Sequence, residues 1–403
     1  MTRAYATDRL THFAPPIGGN FQPVAQKRMA DLVVKPVQSR REQKQFLNLP
    51  WTLYADDPMW VPPLVHEQKG LLGYRHHPFY DDGAIQTFLA ERRGEVCGRI
   101  AAIVNGAHIK RAGEKRGFFG FFESIDDQDV ANELFDAAAE WLRAQGMTSV
   151  RGPANPSLNY ECGLLVEGFH SPPTFMMTYN PPYYGKLVEG WGFEKVQDLY
   201  AFWGHIDMIS GLDRKLWFIA NEARERFNVK LRPMDRRHFR EEVEMFLRVY
   251  TAALVGTWGY APLSAGDIKG LAKGLKQLIA PELALVAEVD GQAIGAVLGL
   301  LDYNPRIKAI NGRLFPFGFI KLLRNKHAIK KMRVISINVI PEYQRWGLGV
   351  VLLGGLIEPI QKWGMHEAEF SWVLESNTLS RASLEKGGAK RDKTYRMYDR
   401  DLI

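Results

Sequence analysis

The chain has 403 residues, 46% hydrophobic, 12% aromatic and 24% charged. That is a globular composition with room for two cores, and it excludes wholesale disorder, collagen-like repeats and a small disulfide scaffold. Lysine and arginine number 52 against 45 aspartate and glutamate, a formal charge of +7, which suits an anionic partner: nucleic acid, a membrane surface or a phosphorylated ligand.

Two cysteines, Cys97 and Cys162, are too few for a disulfide framework or a Cys-rich zinc site and fit a reducing cytoplasm. The N-terminus has no apolar core of signal-peptide length. No run of about 18 uncharged apolar residues offers a transmembrane helix, so any contact with the inner membrane is expected to be peripheral. Residues 1–30 are polar, punctuated by Pro and Gly, and read as a flexible extension. From Leu32 onward strand and helix signals alternate, which predicts an α/β (α+β layered) fold.

The chain repeats itself. Residues 88–105 and 285–302 both read as a β-hairpin with a glycine-bearing turn. Ala90 matches Ala287, Glu91 Glu288, Gly94 Gly291 and Gly98 Gly295, all at one spacing of 197 residues. Each hairpin is followed by an apolar strand (117–122, then 334–340) and a helix (127–145, then 348–363). The closing Gly192-Phe193 answers Gly388-Ala389. A duplicated domain is expected, 31–208 and 229–403, joined by a helical linker over 209–228. The second copy carries roughly 20 extra residues between hairpin and strand, within 303–333.

The most specific motif lies where a β-rich run meets a Leu-rich helix: Val339 and Ile340, then Pro341, Gln344, Arg345, Trp346, Gly347, Leu348, Gly349 and Val350, a Q-x-x-G-x-G pattern. Glycines at such a junction let backbone N–H groups approach a ligand, and the positive end of the helix dipole suits a pyrophosphate. No Lys-Ser/Thr pair follows, so it is not a P-loop. The spacing also fails the dinucleotide fingerprint.

On residues 341–349, and on the closing helix and turn 377–389, the second half resembles the GNAT (Gcn5-related) acyl-CoA N-acyltransferases; the whole chain resembles a tandem form of that fold. The resemblance implies acyl-CoA as co-substrate, with no permanently bound cofactor. The backbone of residues 345–350 would hold its pyrophosphate, and the pantetheine would lie beside a splayed strand at 334–340. The first half lacks the signature: after Phe122 it reads Glu123-Ser124-Ile125-Asp126-Asp127, which would repel a pyrophosphate.

Amine acylation by a thioester needs a proton acceptor and a stabilised oxyanion. A backbone N–H within 337–340 could serve the oxyanion, but this strand offers only Ser336 and Asn338 as side chains. Glu375, at the end of the next predicted strand, is the expected base, and Asn377 a positioning group; the alternative is an exposed Glu capping the following helix. Leu384 stands where the resemblance places a tyrosine acid. Tyr395 and Tyr398 are candidates for that role or core aromatics. Asn155, Asn159, Tyr160 and Glu161 follow a first-half strand in the position matching Glu375, and read either as a plain loop or as an acceptor-pocket lining. His76/Asp81 and His77/Asp82 have the H-x-x-x-x-D spacing used by glycerol-phosphate acyltransferases, but that family's glycine/arginine phosphate motif is absent downstream; as a metal site they lack a second ligand-rich motif, and no metal is expected.

Residues 303–333 hold nine Lys/Arg and no Asp or Glu, so the rest of the chain sums to −2. With Tyr303, Phe315, Phe317 and Phe319, and apolar residues alternating with lysines from Phe317, the segment reads as an amphipathic helix on anionic lipid, or as a lid over the CoA phosphates. No stacking platform or groove-reading helix points to nucleic acid. The expected activity is transfer of a long acyl group to a primary amine, of the type shown by bacterial ceramide synthases, which acylate a sphingoid amine. A soluble N-acetyltransferase and a silent CoA sensor are the alternatives.

Overall fold

The computed structural model describes residues 31–211 and 214–402; the expected extension over 1–30 lies outside them. The first half runs β1 (Leu32–Pro36), α1 (Arg40–Leu53), α2 (Val65–Leu71), β2 (Gly83–Arg92), β3 (Glu95–Asn105), α3 (Gly106–Ala112), β4 (Arg116–Ser124), α4 (Gln128–Ala144), β5 (Ser149–Gly152), β6 (Ala154–Asn155), β7 (Glu161–Cys162), β8 (Leu164–Glu167), α5 (Tyr184–Gly190) and β9 (Glu194–His205). Helix α6 (Arg214–Arg226) leads to β10 (Lys230–Pro233), α7 (Phe239–Leu254), α8 (Ala265–Leu275), β11 (Ala284–Val289), β12 (Gln292–Leu301), α9 (Asn304–Ala309), α10 (Gly318–Leu323), β13 (Lys331–Val339), α11 (Leu348–Gly355), α12 (Ile357–Trp363), β14 (Glu367–Leu374), α13 (Thr378–Lys386) and β15 (Lys390–Asp401).

The repeat is real down to the register. Arg93-Gly94 and Asp290-Gly291 both have positive φ (54° and 82°, 49° and 77°), the two-residue turn whose twist matches its strands. In the first hairpin Ala90 pairs with Gly98 and a bulge follows; in the second Ala287 pairs with Gly295 and the same bulge follows. Both glycines lie under the helix of their own half. A Cβ on Gly98 would come within 2.7 Å of Leu134 on α4, and one on Gly295 within 3.2 Å of Leu352 on α11.

Each half then opens a fork. β4 and β5 run parallel but pair only over residues 116–118, and β13 and β14 only over 331–334. Beyond those points the strands part.

The halves exchange their last strands. The main sheet runs β1-β2-β3-β4-β5-β15-β9-β14-β13-β12-β11-β10, with β8 also on β15. β15, the end of the second half, completes the first half beside β5 (Tyr398 opposite Gly152), while β9 completes the second beside β14 (Phe370 opposite Phe202). A buried clamp adds to this. Thr174 donates to Glu369 at 2.6 Å, Asp302 accepts from the Phe175 N–H at 3.0 Å, and Arg333 donates to the carbonyls of Phe175 and Met176.

Local chemistry accounts for the irregular helices. Pro50 sits inside α1 and cannot donate to the Phe46 carbonyl; buried Arg99 donates to it instead, at 2.6 Å. The helix expected over 348–363 is broken at Leu356. Pro359 has no N–H for the Gly355 carbonyl, and its ring would crowd it.

The insertion departs from expectation. No long amphipathic helix forms: α10 covers only Gly318–Leu323 and Arg324 is extended. Tyr303 is fully buried, and Arg333 lies inside β13 at 2% exposure. Several cations serve backbone carbonyls: Arg306 those of Leu322, Arg324 and Asn325, Lys308 that of Pro58, Lys326 that of Gln277 and Lys330 that of Trp363. What remains outside is a tight patch, Phe315 (69% exposed), Phe317 (68%), Phe319 (44%) and Ile320 (47%), with Arg313, Lys321 and Arg324 beside it. It packs back onto the first half, where the Val65 N–H donates to the Gly312 carbonyl and Trp51 donates to Asn311.

Candidate active site

β13 carries a bulge at Ile335: Leu298 faces Ser336 and Gly299 faces Val334, so one residue is extra. The bulge flips the alternation. Val334 and Ile337 therefore lie on the α11 side, whereas Arg333, Ser336 and Asn338 take the opposite face, where Arg333 reaches the first half and Asn338 lies beside Ala296 under α7. Ser336 is tied by the Asn338 amide, which donates to its hydroxyl.

After Ile340 a 3-10 turn over Pro341–Trp346 reaches Gly347 at φ 78°, and α11 begins without any side-chain cap. The N–H groups of Gly347, Leu348 and Gly349 have no backbone acceptor among the described residues. These orphan donors and the helix dipole make an anion cradle. A side chain at Gly347 would collide with Ile219 at 2.5 Å. Gln344 acts on the loop itself, donating to the carbonyls of Val339 (3.0 Å) and Ala253 (3.3 Å). Val339 and Leu348 are buried, so they present only backbone. Arg345 is exposed, and Trp346 carries the Arg226 guanidinium 4.1 Å over its ring.

In the first half the matching helix start is already filled. The Asp127 carboxylate accepts from the N–H groups of Asp129 (3.0 Å) and Val130 (3.2 Å) and pairs with Arg92 at 2.7 Å. Glu123 is taken by Tyr54, Tyr184 and Arg99.

Glu375 sits at the end of β14, as the spacing predicts, but it is engaged. Lys195 Nζ lies 3.0 Å from its Oε1, the Asp198 N–H reaches Oε2 at 3.3 Å, and the Lys195 bond holds the carboxyl below its usual range. Asn377 caps α13, accepting from the Ser380 N–H at 3.1 Å. Tyr398 donates to Glu189 at 2.9 Å. Tyr395 is fully buried and its hydroxyl has no partner among the described residues. His77 caps a turn through the Phe79 N–H, and His76 makes an exposed pair with Asp81 at 3.8 Å.

Of the first-half loop, three side chains are structural. Asn155 accepts from the Phe121 N–H at 2.7 Å, Asn159 donates to the Ala261 carbonyl at 3.0 Å and Tyr160 donates to Asp267 at 2.9 Å. Glu161 differs, for no hydrogen bond or ion pair engages its carboxylate among the described residues. Burial pushes its carboxyl up to about 7, Glu67 adding to the rise and Arg333 opposing it. Burial raises Glu67 as well, although its side chain still reaches solvent. A carboxylate that is both surrounded and wetted lines a recess rather than a packed core. Its neighbours set its place: Tyr160 and Cys162 pack in one cluster with Trp372 and Leu374 of β14, past the point where β14 leaves β13. Glu67 has no sequence signal, since α2 is short and its Val-His-Glu-Gln-Lys pattern says nothing of the far half.

No protein-family model matches the chain. It is 37% identical to "Bacterial ceramide synthase" of Caulobacter vibrioides, over 93% of this chain and 98% of that protein. It is 33% identical to "Protein YghO" of Escherichia coli, over 92% and 95%. A solved tandem GNAT protein from the clavulanic acid biosynthesis pathway superposes with a TM-score of 0.55 at 13% identity, covering 93% of this chain and 99% of that one. The chain is a tandem GNAT-fold acyltransferase. Within that class it belongs to the family of YghO and the Caulobacter ceramide synthase.

Proposed function

We propose that this acyltransferase takes a long-chain acyl-CoA and transfers the acyl group to the primary amine of a lipid acceptor of the sphingoid type. The observation that carries the donor reading is the uncapped start of α11, where the N–H groups of Gly347, Leu348 and Gly349 have no backbone acceptor among the described residues, at the mouth of a strand fork. The relative named as a ceramide synthase supports the acceptor class.

Glu161 is the proposed base. An ammonium acceptor must lose a proton before it can attack, and a carboxyl raised to about 7 is matched to that task at neutral pH. Glu67 gives the recess a second negative charge that favours a cationic amine. The freed amine attacks the thioester carbonyl, a β13 N–H near the bulge stabilises the oxyanion, and the thiolate departs; at a thiol pKa of about 8.5 it needs little help, which fits Leu384 in place of a tyrosine. Glu375, already paired with Lys195, is assigned to holding β14 against β9.

The exposed Phe315–Phe317–Phe319 patch with its three free cations is assigned to peripheral docking on an anionic leaflet. Among the described residues no helix is long and apolar enough to cross a membrane. The test is a matrix of acetyl-, octanoyl- and hexadecanoyl-CoA against sphinganine, spermidine and amino acids, read as free thiol released. Long-chain donors with sphinganine are expected to give the highest kcat/KM; acetyl-CoA with a soluble amine winning overturns the lipid reading.

A further inference from the structure

Between the α11–α12 run and α13 lies a cavity of about 160 Å³ whose Leu384 edge adjoins the proposed thiol position and whose remainder none of the steps above uses. Val350, Leu353, Gly354, Ile357 and Ile360 line it. At spacings of three and four residues these form one continuous face, beginning a single turn after Gly347. The opposite wall is Val334 and Phe370, the last residues paired across β13 and β14 before the fork opens. Leu384 of α13 and Met208 close the sides. The polar residues of the lining, His205, His366, Glu367 and Ser383, are none of them buried.

Three properties select the occupant. Among the described residues the walls offer no buried charge or orphan donor to hold a polar headgroup. An apolar space of about this size accommodates a hydrocarbon guest of roughly six carbons. It meets the floor of the fork in the half that carries the anion cradle, while the carboxylate recess faces the opposite side of β13, with Arg333. We infer that this cavity holds the distal part of the donor's acyl chain, so that the gap between α11–α12 and α13 sets which chain lengths are accepted. This rests on the acyl-CoA reading above. It adds where the chain lies and which residues measure it.

The test uses the full chain and calorimetric titration with free CoA, acetyl-CoA and dodecanoyl-CoA, before and after filling the cavity with Gly354→Leu and, separately, Ile357→Phe. Each methylene expelled is costly enough that two suffice for about a tenfold loss. Dodecanoyl-CoA affinity is expected to fall at least tenfold in both variants, with free CoA and acetyl-CoA within twofold of the unmodified protein. Ile360→Ala, which enlarges the far end, should move the preferred donor to a longer chain and guards against misfolded filled variants. Unchanged dodecanoyl-CoA affinity with a raised KM for sphinganine would give the cavity to the acceptor's tail and overturn the inference. Equal losses for all three ligands would overturn it too, as damage to the CoA loop. If the unmodified protein binds no CoA at all, the donor reading itself falls, a result distinct from either.

Discussion

Asp127 and Gly347 stand at the same strand-to-helix junction of the two halves and fill it in opposite ways. Asp127 spends its carboxylate on the N–H groups of Asp129 and Val130; at Gly347 the corresponding donors have no backbone acceptor among the described residues. One duplication thus yields a sealed helix start and an open one, and the difference can be tested from both sides.

Asp127→Ala should cost about 1 kcal/mol of stability, the usual worth of an N-cap, and leave CoA affinity unchanged. Gly349→Asp should do the reverse. A Cβ there meets only Ile337 at 3.9 Å, so the fold is kept, while a carboxylate beside the cradle should raise the CoA Kd more than tenfold. Thermal denaturation and calorimetry read the two effects separately.

Glu161→Gln should lower kcat by about 10²–10⁴. Its folded carboxyl titrates at about 7, above the ordinary 4.5, so burial penalises the ionised form, and the stability it withholds is lost as pH rises between those values. The variant should therefore be more stable than the parent at pH 8 though less active. In the parent, kcat/KM should fall as pH drops through about 7, and Glu67→Gln should move that limb to lower pH.

Glu375→Gln removes an ion pair whose partners are more than a third exposed. A stability loss below about 1 kcal/mol is expected, with turnover within a few fold. A hundredfold loss of kcat at full stability would return the base assignment to Glu375.

Arg99→Met should destabilise by about 3–5 kcal/mol, because Glu123 keeps a buried charge without its counterion. Adding Pro50→Ala restores an N–H for the Phe46 carbonyl and should recover about 1 kcal/mol. Recovery of the entire loss would mean that the carbonyl, and not the charge, is what Arg99 serves.

Replacing Phe315, Phe317 and Phe319 together with Ser should abolish flotation with phosphatidylglycerol vesicles while changing stability little, since the rings are largely in solvent. Binding by the parent should weaken at high salt.

The hairpins were legible because Gly98 and Gly295 answer to local demands, a bulge register and a helix packed on top. The loop at 344–349 was legible for the same reason: its chemistry is backbone chemistry, and glycine writes it into the sequence. The insertion misled because composition counts Arg306 and Lys326 as surface charge, whereas the fold spends them on carbonyls. Glu67 and Glu161 are far apart in the chain and meet only through tertiary packing, and the strand exchange leaves no mark in periodicity, which is blind to partner identity.

That exchange has a consequence for synthesis. While the ribosome is still making the second half, β5 has an open edge, because the strand that covers it is the last to be made. Nascent first halves must wait with a bare β edge, the geometry that invites wrong pairing between chains. Co-expressed fragments split between β9 and α6 should recover activity only when both are present, and premature termination near 389 should give aggregates rather than a soluble half-protein.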